Sequence, residues 1–135
     1  MTKSILRKYA KLIVQMGVNI KKGQGAVILA DTAQSESALM VAEEAYRAGA
    51  KWVDIRWTNQ DLDKMRYKKE SVKVLSATQE WEKARMQYEL DELPVRIWID
   101  SDDPDGLKGV NVEKMQKANL ARMKVRKPYR DAMEN

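Results

Sequence analysis

The sequence predicts an α/β fold: a small, open, mainly parallel sheet of about three strands flanked by helices, in a single domain spanning residues 1–135. Three observations lead there. Short strand-like runs stand at 26–30, 52–57 and 95–99, and segments of helical period separate them. The connections between successive strands are long enough for helical crossovers. At 135 residues and 44% apolar composition, the chain has material for one core despite 33% charged residues.

The elements follow in order. Residues 3–16 form an amphipathic helix whose Ile5, Leu6, Tyr9, Leu12, Ile13 and Met16 share one stripe, opposite Lys3, Arg7, Lys8 and Lys11. That stripe is expected to dock, and Gly17 to end the helix. After Gly23-Gln24-Gly25, the continuous apolar run Ala26–Ala30 reads as a strand covered on both faces. Ser35 or Ser37 is placed to cap a helix running to about Ala48, with Leu39, Val41, Ala42, Ala45 and Tyr46 on its apolar side and Gly49 behind it. In the second strand, alternation puts Val53, Ile55 and Trp57 on one face and Trp52, Asp54 and Arg56 on the other.

Residues 60–76 read as one or two short helices with Leu62, Met65, Val72 and Leu75 inward, and residues 79–91 as a further helix carrying Trp81, Ala84, Met86 and Tyr88. Val95–Ile99 follows as the third strand. A last helix is expected from about Asn111 to Lys124, burying Val112, Met115, Ala118, Leu120 and Met123, with Pro128 as punctuation beyond it.

Composition excludes several chemistries. There is no Cys and no His, so disulfides, thiolate or imidazole metal ligands, and Cys-His or Ser-His-Asp catalysis are absent from this chain. Neither GxSxG nor SxxK occurs. No run of about 18 apolar residues is present, and bases interrupt the N-terminus before a leader-type apolar run forms. A cytoplasmic location without membrane contact is expected.

The net charge of +5 is uneven. Residues 1–30 hold six bases and no acid, and residues 111–135 seven bases against three acids. The bases alternate with core-type residues and carry no basic-aromatic motif, so solvated helix faces are favoured over nucleic-acid contacts.

Two motifs invite a ligand reading. Although the layering is Rossmann-like, Gly23-Gln24-Gly25 precedes the first strand instead of following it, and the turn from Asp31 to Ser35 has no glycine. A nucleotide site is disfavoured there. The acidic segment Asp100–Gly106 resembles part of a calcium loop, but aligning Gly106 with its sixth position leaves Val112 where a bidentate Glu is needed. Ligands of open parallel sheets sit beyond the strands' carboxyl ends. Asp31, Thr32, Thr58, Asn59, Asp100 and Asp102 are therefore the candidate cleft-lining residues. If more than one Trp is exposed, an interface explains the four Trp of this Phe-free chain better than a core does.

Several stretches carry a family resemblance. They are Tyr9–Val14, Gly17–Gln24, Ala42–Lys51, Val53–Trp57, Arg66-Tyr67 and Asp103–Gly109, in order and with compatible spacing. Together they resemble the N-terminal domain of the thermophilic-type metalloaminopeptidases, the aminopeptidase T and aminopeptidase S group. The resemblance implies a longer enzyme that removes N-terminal amino acids from peptides. Its C-terminal domain would hold two divalent metal ions (Co, Zn or Mn) that polarise the scissile carbonyl and supply a hydroxide-like nucleophile.

This chain ends before that domain, so no catalytic, cofactor or metal-binding residue carries over. The resemblance implies a partner in the missing catalytic domain, a wall of the peptide cleft and a homodimer scaffold, inactive alone. Two other readings stand beside it: a free-standing module binding nucleic acid or an acidic partner through its basic terminal helices, and a small enzyme using carboxylates at the strand ends.

Overall fold

A computed structural model of the chain describes residues 2–14, 19–99 and 107–134. It is an α/β structure with a three-stranded, all-parallel sheet. The chain divides into two compact units, Met1–Asn59 with Leu93–Asp102 and Gln60–Glu92 with Asp103–Asn135.

The first unit holds the sheet. Strand β1 (Ala26–Asp31) lies between β2 (Val53–Thr58) and β3 (Val95–Ile99). Ala26 is in register with Val53 on one side and Val95 on the other. As the central strand β1 is covered on both faces, and Val27 and Ile28, which point to opposite faces, are both fully buried. This is the continuous apolar run read from sequence. Ala26, Ile28 and Ala30 form the core with Val53, Ile55, Ile97 and Ile99, covered by helices α1 (Lys3–Leu12) and α2 (Ser35–Arg47).

Helix α1 begins at Thr2, whose hydroxyl accepts from the Ile5 amide at 3.3 Å. The docking face differs from the expected stripe. Leu6, Ala10 and Val14 turn to the core, whereas Ile5, Tyr9, Leu12 and Ile13 are exposed. The reason is steric. Helix α2 presents Ala38, Val41, Ala42 and Ala45, and an alanine opposite them lets the axes come close, which Tyr9 or Leu12 would prevent. Met16 and Gly17 lie outside the described residues.

Helix α2 is not capped by Ser35 or Ser37. A 3-10 turn over Thr32–Gln34 leads into it, and the Asp31 carboxylate caps that turn by accepting from Ala33 N at 2.9 Å. Leu39 and Tyr46, expected inward, are exposed, and the Tyr46 hydroxyl accepts from Val53 N. The helix ends as expected at Gly49, with φ +104°. Gly49 N donates to the Tyr46 carbonyl and Ala50 N to the Ala45 carbonyl, a Schellman closure.

Gly23-Gln24-Gly25 has a structural purpose. A Cβ on Gly25 would lie 2.3 Å from the Trp52 indole. The Gln24 side chain donates to the Leu93 carbonyl at 3.0 Å and accepts from Lys21 N at 3.2 Å. The segment packs an indole and ties the start of β1 to the entry of β3.

The second unit is helical: α3 (Gln60–Lys69), α4 (Val72–Ser76), α5 (Glu80–Glu92) and α6 (Val112–Glu134). Ser71 caps α4 and Asn111 caps α6 through side-chain oxygens. Of the residues expected inward, Leu75 and Ala118 are buried, and Leu62, Met65, Val72, Val112, Leu120 and Met123 are exposed. Helix α6 runs past Lys124 and Pro128 to Glu134. Proline's fixed φ is compatible with a helix, and Pro128 forgoes one backbone hydrogen bond within that span. A Lys127–Asp131 ion pair of 2.5 Å spans it.

Candidate functional site

The carboxyl end of the sheet gathers four of the six residues singled out from sequence. Strand register sets Asp31 beside Thr58. The Thr58 hydroxyl lies 3.5 Å from the Ala30 carbonyl, and Asn59 Nδ2 donates to Thr32 Oγ1 at 2.9 Å. Asp31 is 8% exposed, with Oδ1 committed to its turn. Thr32 and Thr58 are exposed. Asp100 and Asp102, with the whole acidic segment 100–106, lie outside the described residues.

This arrangement offers hydroxyl and amide hydrogen bonds to a ligand, while its buried carboxylate serves as a cap. A dinuclear metal centre needs several carboxylate or imidazole donors around a shared point. Among the described residues, no three acidic side chains gather in that way, and the sequence has no His or Cys. The residues described therefore do not fit such a centre.

Three of the four indoles, Trp57, Trp81 and Trp98, are exposed, the last to 66%. Core packing therefore does not account for these three side chains. Within the described residues, no helix is long and apolar enough to cross a membrane.

A second polar feature, missed from sequence, lies in the helical unit. Asp63, Arg66, Tyr67, Asn119, Arg122 and Arg126 border a cavity of about 360 Å³. Arg66 pairs with Glu70 through Nε at 2.7 Å and Nη2 at 3.1 Å. That hydrogen bond above all raises the Arg66 pKa, and it lowers the Glu70 pKa. Arg122 donates to the Ala77 carbonyl and, through Nη2, to Glu82 Oε1 at 2.5 Å.

Burial pushes the Glu82 carboxyl up, but the Gln79 amide at 2.8 Å and the Arg122 guanidinium outweigh it and hold its pKa below the ordinary value. The Glu82 bond to Gln79 N is one half of a capping box for α5. The available signal in the sequence was the four-residue spacing of Arg122 and Arg126, which sets both on one helix face.

Residues 2–135 match the family model described as thermophilic metalloprotease (M29). Aminopeptidase PepS of Streptococcus thermophilus is 32% identical over 113 residues, covering 84% of this chain and 27% of that protein. Aminopeptidase AmpS of Bacillus subtilis is 28% identical over 130 residues, covering 96% of this chain and 32% of that protein. The solved structure of wild-type AmpT from Thermus thermophilus superposes with a TM-score of 0.84 at 28% identity, covering 97% of this chain and 33% of that one. The chain thus spans about a third or less of the length of these relatives.

Proposed function

Since the chain belongs to the thermophilic metalloprotease (M29) family, we propose that it is the N-terminal, non-catalytic part of a dinuclear metal-dependent aminopeptidase that removes N-terminal amino acids from peptides. The family match over residues 2–135, in relatives about three times as long, carries this reading. The donor set agrees with it, because a chain without His or Cys lacks the usual nitrogen and sulfur ligands. In this reading the chain is one α/β domain of a cytoplasmic enzyme. The two divalent ions (Co, Zn or Mn) and the catalytic residues belong to the remainder.

The chain's part is to wall the peptide cleft and support a homodimer. Asp31, Thr32, Thr58 and Asn59, at the carboxyl end of the sheet, are its cleft-lining residues. The exposed Ile5, Tyr9, Leu12 and Ile13 on α1 supply an apolar surface for the rest of the enzyme. The test is incubation of the purified chain with aminoacyl chromogenic substrates and Co, Zn or Mn. No turnover is expected, and robust metal-dependent release of amino acids refutes the assignment.

The alternative, a module for nucleic acid or an acidic partner, draws on the groove between α1 and α2 bordered by Arg7, Lys8, Lys11 and Arg47. Glu43 and Glu44 pair with Arg47, and Glu43 also lies 3.7 Å from Arg7, which weakens that groove's field. Retention on DNA that falls steeply with salt would favour this module over the peptidase part.

A further inference from the structure

We propose that the helical unit carries a binding site for a small oxyanion, a carboxylate or phosphate group, in the cavity bordered by Arg66, Arg122 and Arg126. The volume of about 360 Å³ lies within the range of small-ligand sites. A guanidinium presents a planar fork that matches two oxygens of a carboxylate or phosphate. Three forks around one cavity form a recognition surface for that chemistry.

Two of the forks are held in place. Arg122 is fixed by the Ala77 carbonyl at 2.6 Å and by Glu82 at 2.5 Å. Arg66 is fixed by both oxygens of Glu70. These contacts engage two of the five N–H donors on each arginine. Anchored donors lose little rotamer freedom on binding, which favours affinity. Asn119, whose Oδ1 accepts from the Tyr67 hydroxyl at 3.2 Å, adds an amide to the lining.

The charges set the strength. Asp63 also borders the cavity, and Glu70 and Glu82 engage two of the arginines, so three positive and three negative charges balance. Attraction therefore comes from short, convergent hydrogen bonds and not from a long-range field. Binding is expected to saturate at one site and to distinguish oxyanions from chloride at equal ionic strength. The site stands on the helical unit's own geometry and is independent of the peptidase reading.

Calorimetric titration of the 135-residue chain with inorganic phosphate, and separately with succinate, tests it at ionic strength matched with chloride. Saturable binding of either supports the proposal. Binding of phosphate alone or succinate alone identifies the source of the oxyanion. Arg66→Gln and Arg126→Gln should each weaken the interaction about tenfold, while Lys51→Gln, in the other unit, leaves it unchanged. Far-UV circular dichroism checks that the variants fold. Should either fail, arginine Nε–H resonances of the unaltered chain serve instead, with Arg66 and Arg126 expected to shift on titration. No saturable heat from either anion, unchanged affinity in both folded variants, or unshifted resonances overturns the site.

Discussion

The side-chain amide of Gln24 donates to the backbone carbonyl of Leu93 at 3.0 Å, joining positions 69 residues apart. Leu93 has φ +46°, a left-handed conformation at the turn into β3. A leucine there is strained, and the bond from Gln24 helps hold it. Gln24 also accepts from Lys21 N, so one side chain braces the approaches to both β1 and β3.

Gln24→Ala should lower unfolding stability by about 1 kcal/mol, the worth of a typical hydrogen bond in a solvent-accessible setting. Urea denaturation followed by circular dichroism reads the change as a lower midpoint at constant slope. An unchanged midpoint would remove the brace from this account.

Gly25→Ala tests a different contact. The added methyl would fall 2.3 Å from Cε2 and Cζ2 of Trp52, a distance no real contact tolerates, so the indole must move. A cost of about 1–3 kcal/mol is expected, as for overpacking elsewhere. Tryptophan emission should change along with thermal stability. A variant as stable as the parent with unaltered emission contradicts the packing of Trp52 on Gly25.

Glu82 makes the helical unit acid-sensitive. Its pKa in the folded chain lies below the ordinary value of 4.5 because the Gln79 amide and the Arg122 guanidinium together exceed the opposing effect of burial. A carboxyl with a depressed folded pKa stabilises the fold above its unfolded pKa, and this contribution is lost as pH falls through the folded value. Stability should therefore decline below about pH 4.5. Glu82→Gln should flatten that decline while lowering stability at neutral pH. An identical acid-side slope in parent and variant would dismiss the linkage.

The orientation of α1 can be checked by contrasting substitutions. Ala10→Leu inserts bulk into the contact with α2 and should cost about 1–3 kcal/mol. Ile5→Gln together with Leu12→Gln alters the exposed face and should change stability by no more than about 0.5 kcal/mol per site. The double variant should also bind less of a hydrophobic dye than the parent. If the Gln pair destabilises more than Ala10→Leu, the helix is turned the other way.

By itself the sequence determined the parallel α/β class, the three strands near their true bounds, the glycine that closes α2, and the grouping of Asp31, Thr32, Thr58 and Asn59 at one end of the sheet. These rest on local period, turn chemistry and the rule that parallel strands share a carboxyl edge. Tertiary structure alone decided which arc of each amphipathic helix is buried. A broad apolar arc has several docking orientations of similar hydrophobic gain, and α1 settles on the one where small side chains let two helices approach. It also decided the arginine-lined cavity, since Arg66 and Arg122 lie 56 positions apart and only packing of the helices sets them beside one space.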